Sequence, residues 1–106
     1  MSASDLLRQW HTHLSNERRH SPHTVRAYHR AAERLVLAKG LEAWEHVAAL
    51  DALALRRHLA SRRAEGLANT SAARELSALK SFIAYARSET GEDSILVYNK
   101  SPTMPI

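Results

Sequence analysis

SPHTVRAYHRAAERLVLAKG, from Ser21 to Gly40, reads as a helix with both of its ends written into the sequence. Ser21 offers a side-chain oxygen to the unpaired amides of a first turn, and Pro22 follows at the first helical position, where a missing N–H costs nothing. Lys39 in the last turn suits the negative helix end, and Gly40 supplies the left-handed residue that commonly stops a helix. Val25, Tyr28, Ala32 and Leu35 recur at three- and four-residue steps, while His23, Thr24, Arg26, Arg30 and Arg34 fall largely off that stripe. One face is made for a core and another is basic.

Upstream, Ser4 is the expected cap of a first helix reaching about Arg18, with Leu6, Leu7, Trp10 and Leu14 as its apolar stripe. Only two or three residues then separate it from Ser21, which favours a helical hairpin. Downstream, residues 41–51 carry Trp44, Val47 and Leu50 without a clear helix start, and are expected to form an irregular connection with about one helical turn. Asp51 reads as the cap of a helix over 52–65 that buries Leu55 and Leu59 and stops at Gly66, its arginines at the solvent side or in the last turn. Asn69, Thr70 and Ser71 are candidate caps of a last helix to about Ser88, with Leu76, Leu79, Phe82, Ile83 and Ala86 facing the core. Thr70, Arg74, Ser77, Lys80 and Ser81 share its polar face. Residues 92–106 hold two of the three prolines and read as an extended tail or linker, so the expected domain spans 1–91. The expected fold is all-α, a four-helix core of two hairpins.

Composition narrows the function classes. The chain has 106 residues, 44% hydrophobic, no cysteine and a net charge of +4, with a pI near 10.0. That charge favours a polyanionic partner. The absence of cysteine removes disulfides and thiolate chemistry. No apolar run approaches the ~20 residues of a membrane span, and the first residues lack a signal-peptide layout, so the expected location is the cytoplasm. Segment 21–39 sets Arg26, Arg30, Arg34 and Lys39 against Glu33, and segment 52–65 sets Arg56, Arg57, Arg62 and Arg63 against Glu65. The intervening residues 41–51 are acidic.

Two helix starts, at Ser21 and Asn69, are each followed by a basic face, Arg26 and Arg30 in one case and Arg74, Ser77 and Lys80 in the other. Hydroxyls, amides and a helix dipole together favour phosphate, although ordinary capping accounts for the starts alone. Of the seven histidines, His11, His13, His20, His23 and His29 lack the carboxylate or cysteine spacing of a zinc site. No metal and no cofactor is expected, and the histidines near Ser21 read as groups that tune phosphate affinity. No acid pair, nucleophile elbow or phosphate loop points to catalysis.

The pattern S-x-x-T-x-x-x-Y in Ser21, Thr24 and Tyr28, followed by RRAEGLANTSAARELSALKSFIAYA from Arg62 to Ala86, resembles the N-terminal core-binding (SAM-like) domain of tyrosine recombinases and phage integrases, nearest the Xer type. The resemblance covers roughly residues 4–91. It implies two crossed helical hairpins clamping one side of double-stranded DNA, with the second and fourth helices toward the major groove. On that pattern Ser21 and His23 would meet phosphate, Thr24, Arg26, Ala27 and Arg30 would lie on one DNA-facing helix, and Asn69, Thr70, Arg74, Ser77, Lys80 and Ser81 on the other. The family's cutting tyrosine belongs to a separate C-terminal catalytic domain, for which nothing after Gly91 leaves room, so this chain is expected to be non-catalytic. Its implied partners are a recombination core site, that catalytic domain and other recombinase subunits, the isolated domain being monomeric. The biological setting would be chromosome-dimer resolution, plasmid maintenance or phage integration. The rival from another class is a helical protein-interaction adaptor with solvated basic faces.

Overall fold

The computed structural model describes residues 2–16 and 20–91, and all of its regular structure is helical. The helices are α1 (Ala3–Asn16), α2 (Pro22–Lys39), α3 (Trp44–Ala48), α4 (Ala52–Ala64) and α5 (Asn69–Thr90). The tail expected over 92–106, and Arg18 and Arg19, lie outside the described residues.

The second helix has the expected ends. Ser21 adopts an extended backbone and its Oγ accepts from the Thr24 amide at 3.2 Å. At the other end Gly40 takes φ +65°, and the Leu41 amide returns to the Val36 carbonyl at 3.0 Å. This is the Schellman closure, and its usual apolar contact is present because Val36 and Leu41 are both buried. The same closure ends α4: Gly66 N–H donates to Arg63 O and Leu67 N–H to Arg62 O, with Gly66 at φ +108°.

Three sequence expectations need correction. Ser4 does not cap α1. Ser2 does, its Oγ accepting from the Asp5 amide while Asp5 Oδ2 accepts from the Ser2 amide, a reciprocal capping box two residues earlier than expected. Asn69, Thr70 and Ser71 do not cap α5 either. They fill its first turn, and Ala68, with no side-chain acceptor, occupies the cap position. The connection 41–51 contains a fifth helix, α3, with Trp44, Val47 and Ala48 buried.

Each extra element has a tertiary reason. Trp44 packs against Phe82 and Tyr85 and donates from Nε1 to Gln9 Oε1 at 2.7 Å, so α3 is held by α1 and α5 rather than by its own weak start. The carbonyls at its end and just past it are taken by Arg87 of α5, which donates from Nε to Ala48 O and from Nη2 to Leu50 O. α5 is the axis of the domain and packs against α2, α3 and α4, while α1 packs on α2. Leu6, Trp10, Leu14, Leu35, Leu79 and Phe82 are all essentially inaccessible, and a fully buried side chain of this kind contributes roughly 1.5–3 kcal/mol.

One charge lies inside this apolar frame. Glu75 of α5 has a side chain 3% exposed, in step with the buried Ala72, Leu79 and Phe82. Its Oε1 accepts from Arg34 Nη2 of α2 at 3.1 Å, and its Oε2 accepts from Arg62 Nε of α4 at 3.2 Å. His58 Nε2 of α4 faces the same oxygen at 3.4 Å. Arg62 therefore turns inward rather than to solvent, leaving Arg56, Arg57 and Arg63 exposed on α4.

Two outcomes follow for stability. Burial holds the His58 pKa below its ordinary 6.5; Glu75 opposes that shift, and Arg62 and Lys39 reinforce it. The fold thus prefers the neutral imidazole, and this contribution is complete above about pH 6.5 and is lost as pH falls through the depressed folded value. The urea midpoint should drop between pH 7.5 and 5.5, and His58→Gln should reduce that drop. At Gly66 an added Cβ would meet nothing within 4 Å, so only the backbone resists it. Gly66→Ala should cost about 1–2 kcal/mol in urea unfolding, with unchanged helix content by circular dichroism.

Candidate nucleic-acid interface

Where α2 and α5 pack, the side chains that do not enter the core border an open groove of about 750 Å³. The wall from α2 comprises His23, Thr24, Arg26, Ala27, Arg30 and Arg34, and the wall from α5 includes Ser71, Arg74 and Ser77. Thr24 and Arg34 are ten residues apart, which on a helix is about 15 Å of groove length. Ala27, Ser71 and Ser77 are small, so a ligand can approach both helix backbones closely.

Of the residues singled out in the sequence, His23, Thr24, Arg26, Ala27, Arg30, Arg74 and Ser77 line this groove. Ser21 sits just outside it as the α2 cap, with its Oγ on the Thr24 amide and 3.1 Å from Thr24 Oγ1. Asn69 and Thr70 are exposed in the first turn of α5, and Lys80 and Ser81 are exposed beyond Ser77; none of these four borders the groove.

Charge on the groove is uneven in a chemically useful way. Arg26, Arg30 and Arg74 are exposed and make no hydrogen bond or ion pair among the described residues, so each keeps a full set of guanidinium donors for a ligand. The acid on the lining is Glu75, and two arginines already engage it.

Arg34 and Glu75 were not among the candidate residues. Arg34 follows Arg30 by one turn and could have been extended from it. Glu75 had a subtler signal: it stands three residues after Ala72 and four before Leu79, inside the apolar stripe, where a carboxylate requires a cationic partner.

A second hollow of about 490 Å³ lies on the α1 side of α2, bordered by His11, Ser15, His20, His29 and Glu33, and again by Arg26 and Arg30. The His11 and His29 rings meet edge to face at 5.2 Å. Burial and the neighbouring His11 both lower the His29 pKa, against the pull of Glu33. Among the described residues no group of three or more His, Cys, Asp or Glu is placed to hold a metal ion, and no helix is long and apolar enough to cross a membrane. Among the described residues the large exposed hydrophobic side chains are Leu37 and Leu53, and neither borders the groove.

The sequence is similar to three curated proteins that bear the name tyrosine recombinase XerC. That of Nitrobacter winogradskyi is 35% identical over 96 residues, 83% of this chain and 30% of the relative. That of a Methylobacterium species is 34% identical over 103 residues, 92% of this chain and 32% of the relative. That of Azotobacter vinelandii is 42% identical over 76 residues, 69% of this chain and 24% of the relative. The chain thus spans a third or less of the length of these relatives. No solved structure is a significant match. Residues 7–90 match the family described as "Phage integrase, N-terminal SAM-like domain", a span running from the first turns of α1 to the last residue of α5, and with it the chain belongs to that family.

Proposed function

We propose that this domain binds double-stranded DNA through the α2/α5 groove, as the N-terminal clamp of a tyrosine recombinase whose strand cleavage is carried by a separate catalytic domain. The observation that carries the reading is the convergence of Arg26, Arg30 and Arg74 on one groove without carboxylates of their own. Three unpaired guanidinium groups held close together repel one another, and a polyanion relieves that repulsion. Membership of the integrase family and the names of the relatives support DNA as that polyanion.

Within this reading the contacts divide by position. Ser21, His23 and Thr24 lie at the N-terminal end of α2, where amides and dipole favour phosphate. Lys80, exposed outside the groove, is a phosphate contact. Arg74, inside it and one turn into α5, is suited to a base edge, since guanidinium matches the O6 and N7 acceptors of guanine. Ala27 contributes close approach or contact with a thymine methyl. Other recombinase subunits and a catalytic domain would complete the clamp around a recombination core site, in a role such as chromosome-dimer resolution.

If roughly five phosphates are neutralised, log K against log salt should fall with a slope of about −4 to −5 in an anisotropy titration. Absence of binding at low salt, or binding indifferent to salt, would refute the DNA reading. Arg74→Ala should relax sequence preference at a cost of about 1–3 kcal/mol on the preferred duplex. Lys80→Ala should weaken all duplexes alike and flatten the salt slope by about 1. Equal losses on preferred and scrambled duplexes for both variants would overturn this division.

A further inference from the structure

We propose that Arg34 is a base-contacting residue of the groove and that buried Glu75 is the positioning residue that aims it; this rests on the DNA-binding reading above. Arg34 differs from the other arginines of the groove. Its side chain is 40% exposed, and its Nη2 is tied to Glu75 Oε1 at 3.1 Å. Its Nε is buried without a hydrogen-bond partner. Nη1 makes no hydrogen bond to the protein and is not among the buried unsatisfied atoms, so it remains accessible to a ligand. The guanidinium is thereby pinned along one edge and open along another.

The pin itself cannot swing. Glu75 Oε2 accepts from Arg62 Nε at 3.2 Å and faces His58 Nε2 at 3.4 Å, both from α4. Arg62 in turn is held by Glu65 through Nη1 at 3.2 Å. A line of contacts therefore runs from α4 through the Glu75 carboxylate to an arginine on the groove. An arginine fixed before binding loses less freedom when it meets its target than one that must be ordered by it.

The carboxylate also decides what Arg34 is suited to recognise. Its charge is largely offset by Glu75, so it adds little to counterion release and little to affinity for phosphate. Its directional donors are unaffected. A charge-compensated, oriented guanidinium on a groove wall serves direct readout, its target being the acceptor edge of a base in the major groove, best a guanine. Arg26 and Arg30, uncompensated and free to turn, serve the backbone.

The test uses the 106-residue chain and two labelled duplexes, the best ligand from selection on a randomised pool and a scrambled duplex of the same composition. Arg34→Ala should lower the preference for the selected duplex about tenfold while leaving the salt slope nearly unchanged, and Arg34→Lys should do the same because the planar fork is lost. Glu75→Gln should lower the preference, tighten binding to the scrambled duplex and steepen the slope by about 1, as an uncompensated charge would. A merely structural role for Glu75 would lower the unfolding midpoint without those changes. Gln9→Ala, which removes the hydrogen bond to Trp44 that seats α3 and touches neither Glu75 nor the groove, is the control for that effect: a lower midpoint with the preference kept. Should Glu75→Gln fail to fold by circular dichroism, the two Arg34 variants decide. Retained preference in Arg34→Ala, or a slope flattened by about 1, would overturn the inference and leave the DNA reading intact. Failure of the unsubstituted chain to bind either duplex would overturn both.

Discussion

A carboxylate 3% exposed must find its compensation inside the protein, and Glu75 finds it on two other helices. That demand ties the fold together. Hydrophobic burial draws α5 against its neighbours, but it is non-directional and tolerates small slides along the helix axes. Replacing a buried ion cluster with apolar side chains is often neutral in stability, whereas removing one partner from it is strongly unfavourable. What the cluster supplies here is a heavy penalty on misregistry. Arg34 of α2 and Arg62 and His58 of α4 meet one carboxyl group only when both helices lie at the observed height along α5.

The far end of α5 is fixed by different means. Trp10, Trp44 and Tyr85 gather around Phe82 or one another with ring centroids 5.1–5.6 Å apart, a range in which tilted and edge-on aromatic contacts are favourable. Arg87 closes the end of α3 just beyond them. With α3 seated there, Ser71, Arg74 and Ser77 of α5 are left facing α2 across the groove. The groove is thus what remains after the aromatic end and the ion cluster have fixed how the two helices lie.

Much of this architecture was legible in the sequence where local chemistry decides structure. Ser21, Pro22 and Gly40 gave α2 both its ends because their effect lies in backbone dihedrals and first-turn amides, which neighbours barely alter. The start of α5 was misread because chain geometry decides it. Gly66 and Leu67 complete the closure of α4, so Ala68 is the next residue free to take an extended backbone, and Asn69 to Ser71 are carried into the helix whatever their side chains prefer. For α3 the information is held by residues remote in sequence, Gln9, Phe82 and Arg87. Of the groove, the exposed cations were readable from helical spacing. Arg34 was seen as basic but not as paired, since its partner is 41 positions away.

The cations of the groove can be weighed against the rest of the surface. Four arginines line it against one carboxylate, a local balance of +3 in a chain whose net charge is +4. The acids Glu42, Glu45 and Asp51 lie instead on and around α3. If these charges served only solubility, pairing across the groove would lower the energy of the free domain, and Arg26, Arg30 and Arg74 have neighbouring positions such as Ala27 and Ser77 at which an acid would supply it. Leaving them unpaired costs the free protein self-repulsion. A cost of that kind is recovered when a polyanion enters. The acid on the groove lining, Glu75, is buried and already engaged by Arg34 and Arg62, so it takes nothing from that recovery.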